Sequence, residues 1–238
     1  MKRDRYNLMN SDPEFALRFE AFLEEVKVED GQTLDDETRY LCILAALIGS
    51  QSIEVYKIVL MDALEEGFAP VAVKEIVYQA VAYLGMGRAY PFTTATNEVF
   101  LESGISLPIN GQETATSEDR LLKGAEVQVQ IFGEGMRTFW QGGHINRWLA
   151  SNCFGDYYTR SGLTLKQREL ITFCFLAAQG DCEPQLVSHV FGNINLGNDD
   201  KLLARAISQC LPYIGYPRSL NALAGIKRAM EQLEAGSK

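Results

Sequence analysis

Residues 164–189 read TLKQRELITFCFLAAQGDCEPQLVSH, and this stretch decides the fold class. Thr164 with Gln167 has the Thr-x-x-Gln form of a capping box, which satisfies free amides at the start of a helix. A long apolar run follows. Pro184 then suits the first turn of a second helix, where its missing N–H costs nothing. The two helices make a hairpin. Glu169 lies at the start of the first helix, and Cys182, Gln185 and His189 fall on one face of the second at i, i+3 and i+7.

The pattern repeats. QAVAYLGMGR (79–88) and QCLPYIGYPR (209–218) share Gln, Tyr, Gly and Arg at the same spacing, 130 residues apart. TRYLCILAALIG (38–49) pairs with QRELITFCFLAAQG (167–180), and DALEEG ending at Gly67 pairs with GNINLG ending at Gly197. This order predicts two divergent copies, 1–104 and 117–238. The joint at 105–116 lies within the polar, Pro- and Gly-containing GISLPINGQETATSED. Gly67 and Gly197 sit where helices take a left-handed C-cap, and Pro70 suits the first turn of the next helix. VAVKEIVYQAVAYLG places Val73, Ile76, Val77 and Ala80 on one face. VQVQIF alternates like a strand, but its flanks favour helix. The expected fold is all-α, each copy built on a helical hairpin.

The chain has 238 residues, 22 Lys+Arg and 31 Asp+Glu, giving a formal charge of −9. Phosphate binding needs a basic surface, so this balance argues against nucleic acid, and equally against an anionic membrane surface. No apolar run approaches the ~20 residues of a membrane span, and MKRDRYNLMNSDPEF does not read as a secretory signal. Five cysteines, at 42, 153, 174, 182 and 210, form no pattern and suggest reduced thiols in the cytoplasm. Two distant histidines and no Cys-x-x-Cys argue against zinc. Phosphate-loop and dinucleotide fingerprints are absent.

Cys182 falls at or just before a helix N-terminus, where the dipole favours a thiolate. Cys182, Gln185 and His189 together suit nucleophilic or acid–base work. The same spacing also fits a packed cysteine and a satisfied imidazole. A carboxylate at Glu169, brought near His189 by the hairpin, would orient the ring; alternatively it is a solvated N-terminal acid. Tyr83 and Tyr213 read as pocket lining or as buried aromatics with tethered hydroxyls. Arg88 and Arg218 suit an anionic substrate or salt bridges. His144 has no partner nearby and reads as structural or surface. Cys42, Cys174 and Cys210 fall inside apolar helical runs. The corresponding stretch of the first copy, GSQSIEVYKIVLMDALEEG, has no His or Cys, which leaves one retained site and one copy kept for assembly.

FGDYYTRSGLTLKQRELITFCFLAAQGDCEPQLVSHVFGNINLG followed by QCLPYIGYPRSLNAL resembles the carboxymuconolactone decarboxylase family, and RLLKGAEVQVQIFGEGM is similar to the N-terminal segment of the decarboxylase itself. The resemblance covers about 117–238, and the first copy more weakly. It implies an all-helical, alkylhydroperoxidase D-like fold, a small-molecule substrate, no metal or organic cofactor, and ring-like assembly, here a homotrimer of two-copy chains. It implies lyase chemistry on a carboxylated lactone, with His189 as acid/base, Glu169 orienting it, and Arg168 or Arg218 as anion partner. Alkylhydroperoxidase D-like members instead use Cys-x-x-Cys-x-x-x-His. Cys182 and His189 match that motif, but Gln185 replaces its second Cys, so only a one-cysteine thiol reaction resolved by an external thiol remains. A non-catalytic, small-molecule-binding oligomer is the third reading.

Overall fold

The computed structural model describes residues 4–236, which are all-α, with no strand among them. The helices are α1 (Pro13–Val28), α2 (Asp36–Gly49), α3 (Ile53–Glu65), α4 (Pro70–Leu84), α5 (Met86–Glu102), α6 (Arg120–Phe132), α7 (His144–Trp148), α8 (Leu165–Gln179), α9 (Glu183–Asn195) and α10 (Asp200–Gly236). Two short 3₁₀ turns follow α6, and α7 runs directly into a π-helix, Leu149–Tyr158. Gly215 breaks α10 with φ 78°, giving limbs at 200–214 and 216–236.

The centre is the contact between α2 and α8. Every residue from Arg39 to Gly49 and from Arg168 to Ala178 is buried. A helix covered on all sides in this way is a core helix, not an amphipathic surface one. Gly49 lets the backbones approach, since a Cβ there would overlap the Phe175 carbonyl and the Ala178 side chain. Cys42 and Cys210 both neighbour Cys174 in this core, and that contact together with burial pushes the Cys42 thiol well up.

Two runs of four helices divide most of the chain into halves: α2–α3–α4–α5, then α8–α9 and the two limbs of α10. Their breaks coincide. Gly67 and Gly197 take φ of 87° and 86°, and Gly85 and Gly215 take 80° and 78°. Only glycine adopts these angles without strain. The Thr164–Gln167 capping box is formed, and Pro70 opens α4. VQVQIF is helical throughout, within α6.

The halves share one hydrophobic core rather than folding as two separate bodies. α4 of the first half packs on both α2 and α8, and α10 of the second packs on the same two helices. The joint between the halves is itself packed. Ile105, Leu107 and Ile109 lie against the core, and Thr114 Oγ1 donates to the Thr159 carbonyl at 2.6 Å.

α6 and the π-helix meet backbone to backbone. A Cβ on Gly124 would overlap the Ala150 carbonyl, and one on Gly155 would overlap the Arg120 carbonyl. Neither obstacle is a flexible side-chain tip, so the helices would have to separate. Gly124→Ala is expected to cost about 1–3 kcal/mol or more. Gly87→Ala, in a helix and facing open space, should instead stabilise by about 0.5–1 kcal/mol. Urea denaturation of both variants measures the contrast.

Candidate active site

The hairpin α8–α9 sets Glu169 against His189. Asn193 fixes its register, with Nδ2 donating to the backbone carbonyls of Glu169 (3.0 Å) and His189 (2.7 Å). Asn198 then donates to Asn193 Oδ1 at 2.8 Å and to the Lys166 carbonyl at 2.9 Å. Gly192 leaves room for the pair, because a Cβ there would strike Glu169 Oε2, Ile131 and Phe132. In the resulting gap His189 Nδ1 lies 2.8 Å from Glu169 Oε2. Glu169 is 0% exposed and His189 8%.

Aromatic rings wall the imidazole. Phe132, the last residue of α6, stands edge-on at 5.5 Å between centroids, and Tyr83 of α4 stands edge-on at 5.4 Å. Behind them runs a chain of hydroxyls. Tyr158, the last residue of the π-helix, donates to Glu169 Oε1 at 2.8 Å. The Tyr158 oxygen also meets Thr172 Oγ1 at 2.7 Å and the Tyr83 hydroxyl at 2.6 Å. Cys153 Sγ donates to Tyr83 at 3.7 Å. Burial pushes both phenols well above the ordinary tyrosine range, with the charge of Glu169 adding to it, and raises the Cys153 thiol to about 12. All three groups therefore carry their protons at neutral pH.

A second polar layer joins α4 to α8. Arg168 Nη2 pairs with Glu75 Oε2 at 2.9 Å and donates to the Arg160 carbonyl at 2.8 Å, and Nη1 donates to Gln79 Oε1 at 3.0 Å. Arg160 Nε also reaches Glu75, at 2.9 Å. Gln79 Nε2 returns to the Arg168 carbonyl at 2.9 Å and to Thr172 Oγ1 at 2.8 Å. Arg168 is 0% exposed. Burial pulls its guanidinium down and Glu75 opposes that pull. A buried ion pair of this kind is costly to break, because it leaves one charge uncompensated. Arg168 thus belongs to the framework between the halves rather than to a substrate-facing surface.

The remaining sequence-predicted residues lie elsewhere. Cys182 caps α9 half-buried, with Sγ donating to the Leu176 carbonyl at 3.4 Å. It lines a cleft of about 480 Å³ with Asp181, Arg218, Asn221 and Arg228. Burial raises its thiol above the ordinary value, so desolvation outweighs the helix terminus. Arg218 and Gln185 are exposed. Tyr213 lies in a separate pocket, with Arg5, Arg39 and Tyr40. Tyr40 and Val59 stand 129 and 130 residues before Glu169 and His189 in the sequence, and Val59 is buried in the core. Gln209, the counterpart of Gln79, donates to the Val26 and Gln32 carbonyls. His144 stacks edge-on with Trp148 at 5.1 Å.

The structure therefore brings together Glu169, His189 and Tyr83. Sequence reasoning missed Tyr158, Thr172, Phe132 and Gly192. Among the described residues no group of three or more His, Cys, Asp or Glu is arranged to hold a metal ion, and no helix is long and apolar enough to cross a membrane.

Residues 144–228 match the model of the carboxymuconolactone decarboxylase family. The matched stretch runs from α7 through most of α10 and carries Glu169 and His189. No curated protein matches the chain.

The raised Cys182 thiol has a measurable consequence. Below its own midpoint a thiol is protonated, so raising that midpoint above the ordinary 9.0 leaves less thiolate at neutral pH. Iodoacetamide should alkylate Cys182 more slowly than a free cysteine at pH 7. The rate should still be climbing above pH 9, with Cys182→Ser giving the background.

Proposed function

We propose that the protein is a carboxymuconolactone decarboxylase-like enzyme performing cofactor-free acid–base chemistry, of lyase type, on a small carboxylated lactone or related acid. The observation that carries this reading is the buried Glu169–His189 pair. A carboxylate on Nδ1 fixes the proton there and leaves Nε2 as the reacting nitrogen. The carboxylate also stabilises the imidazolium form, from which an acid must act.

The chemistry follows from that arrangement. The bond between the lactone carbon and its carboxylate breaks, releasing carbon dioxide. The electron pair passes into the adjoining unsaturated carbons. His189 Nε2–H then delivers a proton to carbon, and the ring returns to its neutral form with Nδ1–H still held by Glu169. Tyr83 and Phe132 make an apolar wall, which strengthens the electrostatics of the pair by excluding water. A positioned acid–base group of this kind contributes about 10²–10⁴-fold to rate.

The thiol reading draws less support. Cys182 Sγ is turned to the Leu176 carbonyl and lines a separate cleft, burial holds it protonated, and Gln185 stands where a second thiol would be. Ultraviolet-monitored loss of carboxymuconolactone tests the choice. His189→Ala should lower kcat/KM by about 10²–10⁴-fold, whereas Cys182→Ser should retain activity. Peroxide consumption abolished by Cys182→Ser would instead favour thiol chemistry.

We also propose that the chain assembles as a homotrimer. Support comes from large apolar side chains exposed at equivalent positions in the two halves: Met86 (55%) with Tyr216 (62%), and Tyr90 (58%) with Leu220 (62%). Light scattering should give three times the 26.5 kDa chain mass, and a stable monomer would refute it.

A further inference from the structure

We propose that Tyr158 and Tyr83 form a positioning relay that fixes the tautomer of His189, so that α4, outside the family-matched residues, completes the site. The inference rests on His189 being the reacting group. It names the residues that hold it ready.

The argument is one of proton counting. A phenol has one proton to give and two lone pairs to receive with. Tyr158 gives its proton to Glu169 Oε1 at 2.8 Å. Its two other close neighbours, Tyr83 at 2.6 Å and Thr172 at 2.7 Å, must therefore donate to it. Thr172 is free to do so because its oxygen already accepts from Gln79 Nε2 at 2.8 Å. Tyr83 in turn accepts from the Cys153 thiol. Every proton in the chain points toward one carboxylate. Glu169 then receives on Oε1 from Tyr158 and on Oε2 from His189, and it has no proton of its own to return. The ring nitrogen facing it must be Nδ1–H.

Removing the Tyr158 hydroxyl changes this. Glu169, fully buried, loses a donor whose place water cannot readily take. Without that bond the carboxylate is no longer fixed in the position from which Oε2 faces Nδ1. The preference for Nδ1–H then weakens, and the single proton of the neutral ring is free to move to Nε2. Tyr83 acts one step back. Its donation polarises the Tyr158 hydroxyl and strengthens the bond to Glu169, since linked hydrogen bonds reinforce one another. Tyr83 is thus a positioning residue, delivered by a helix whose own half has Val59 in place of the histidine.

The experiment needs no substrate, so its outcome is separate from that of the decarboxylase reading. Protein labelled with ¹⁵N-histidine carries only two such residues, and His144→Gln assigns them. Long-range ¹H–¹⁵N correlation reads the tautomer of His189 at a pH where the ring is neutral. The wild type should be Nδ1–H. Tyr158→Phe should shift the tautomer ratio toward Nε2–H by about tenfold, the size of one hydrogen bond to a charged group. Tyr83→Phe should shift it less, in the same direction, and add nothing in the Tyr158→Phe background. A wild-type tautomer pattern in Tyr158→Phe overturns the relay. So does a Tyr83→Phe effect that persists undiminished in the double variant. If Tyr158→Phe does not fold by circular dichroism, Thr172→Val removes the other donor to Tyr158. It should move the ratio the same way as Tyr83→Phe, and no movement in either variant overturns the proposal.

Discussion

A carboxylate with no exposed surface is the constraint on which this structure turns. An unpaired charge in a protein interior is costly enough that it must be met by donors from every side. Glu169 meets them from three elements. α9 supplies His189, the π-helix supplies Tyr158, and Tyr83 from α4 stands behind it. Each element must be placed to within hydrogen-bond length. Gly192 admits the carboxylate to α9, and Gly124 and Gly155 let α6 lie against the π-helix. The Asn193–Asn198 pair locks the hairpin. The packing that looks structural and the geometry that looks chemical are consequences of the same buried charge.

The halves exchange the tyrosines of their matching Gln-x-x-x-Tyr stretches. Tyr83 of the first half stands against His189 of the second, and Tyr213 of the second stands in the pocket with Tyr40 of the first. The exchange follows from α4 and α10 each lying across both central helices. Arg168, Glu75 and Gln79 hold one of these crossings by a buried ion pair and an amide. At the other crossing Gln209 donates to carbonyls of the N-terminal segment, so the equivalent glutamine secures α1 and its loop instead.

Much of this was legible in the sequence where a local rule applied. The Thr164–Gln167 box and the paired glycines gave the helix boundaries, because caps and left-handed turns depend on near neighbours alone. Glu169 and His189 were legible together because one hairpin carries both. Tyr158 was not, because it ends a π-helix, whose wider turn breaks the 3.6-residue pattern that assigns faces. The setting of Arg168 was not legible, because sequence spacing does not distinguish a substrate-facing guanidinium from one sealed against Glu75, 93 residues away. Cys182 does stand at a helix start, yet the dipole acts there against burial, and only the fold reveals that burial is larger. Tyr213 reads in the sequence as pocket lining or a buried aromatic, and only long-range packing sets it beside Arg5, Arg39 and Tyr40.

That exchange also accounts for the asymmetry between the halves. With Val59 and Tyr40 at the two chemical positions, the first half has no titrating pair to hold. If each half built its pocket from its own four helices, such a half would be dispensable to the site. Here it is not, because Tyr83 and Gln79 reach Tyr158 and Thr172 only from α4, and α4 is held in place by Glu75 on Arg168. Losing the first half would remove a ring beside His189, a donor behind Glu169 and the counter-ion of a buried arginine at once. The first half is therefore tied to the Glu169–His189 pair through α4.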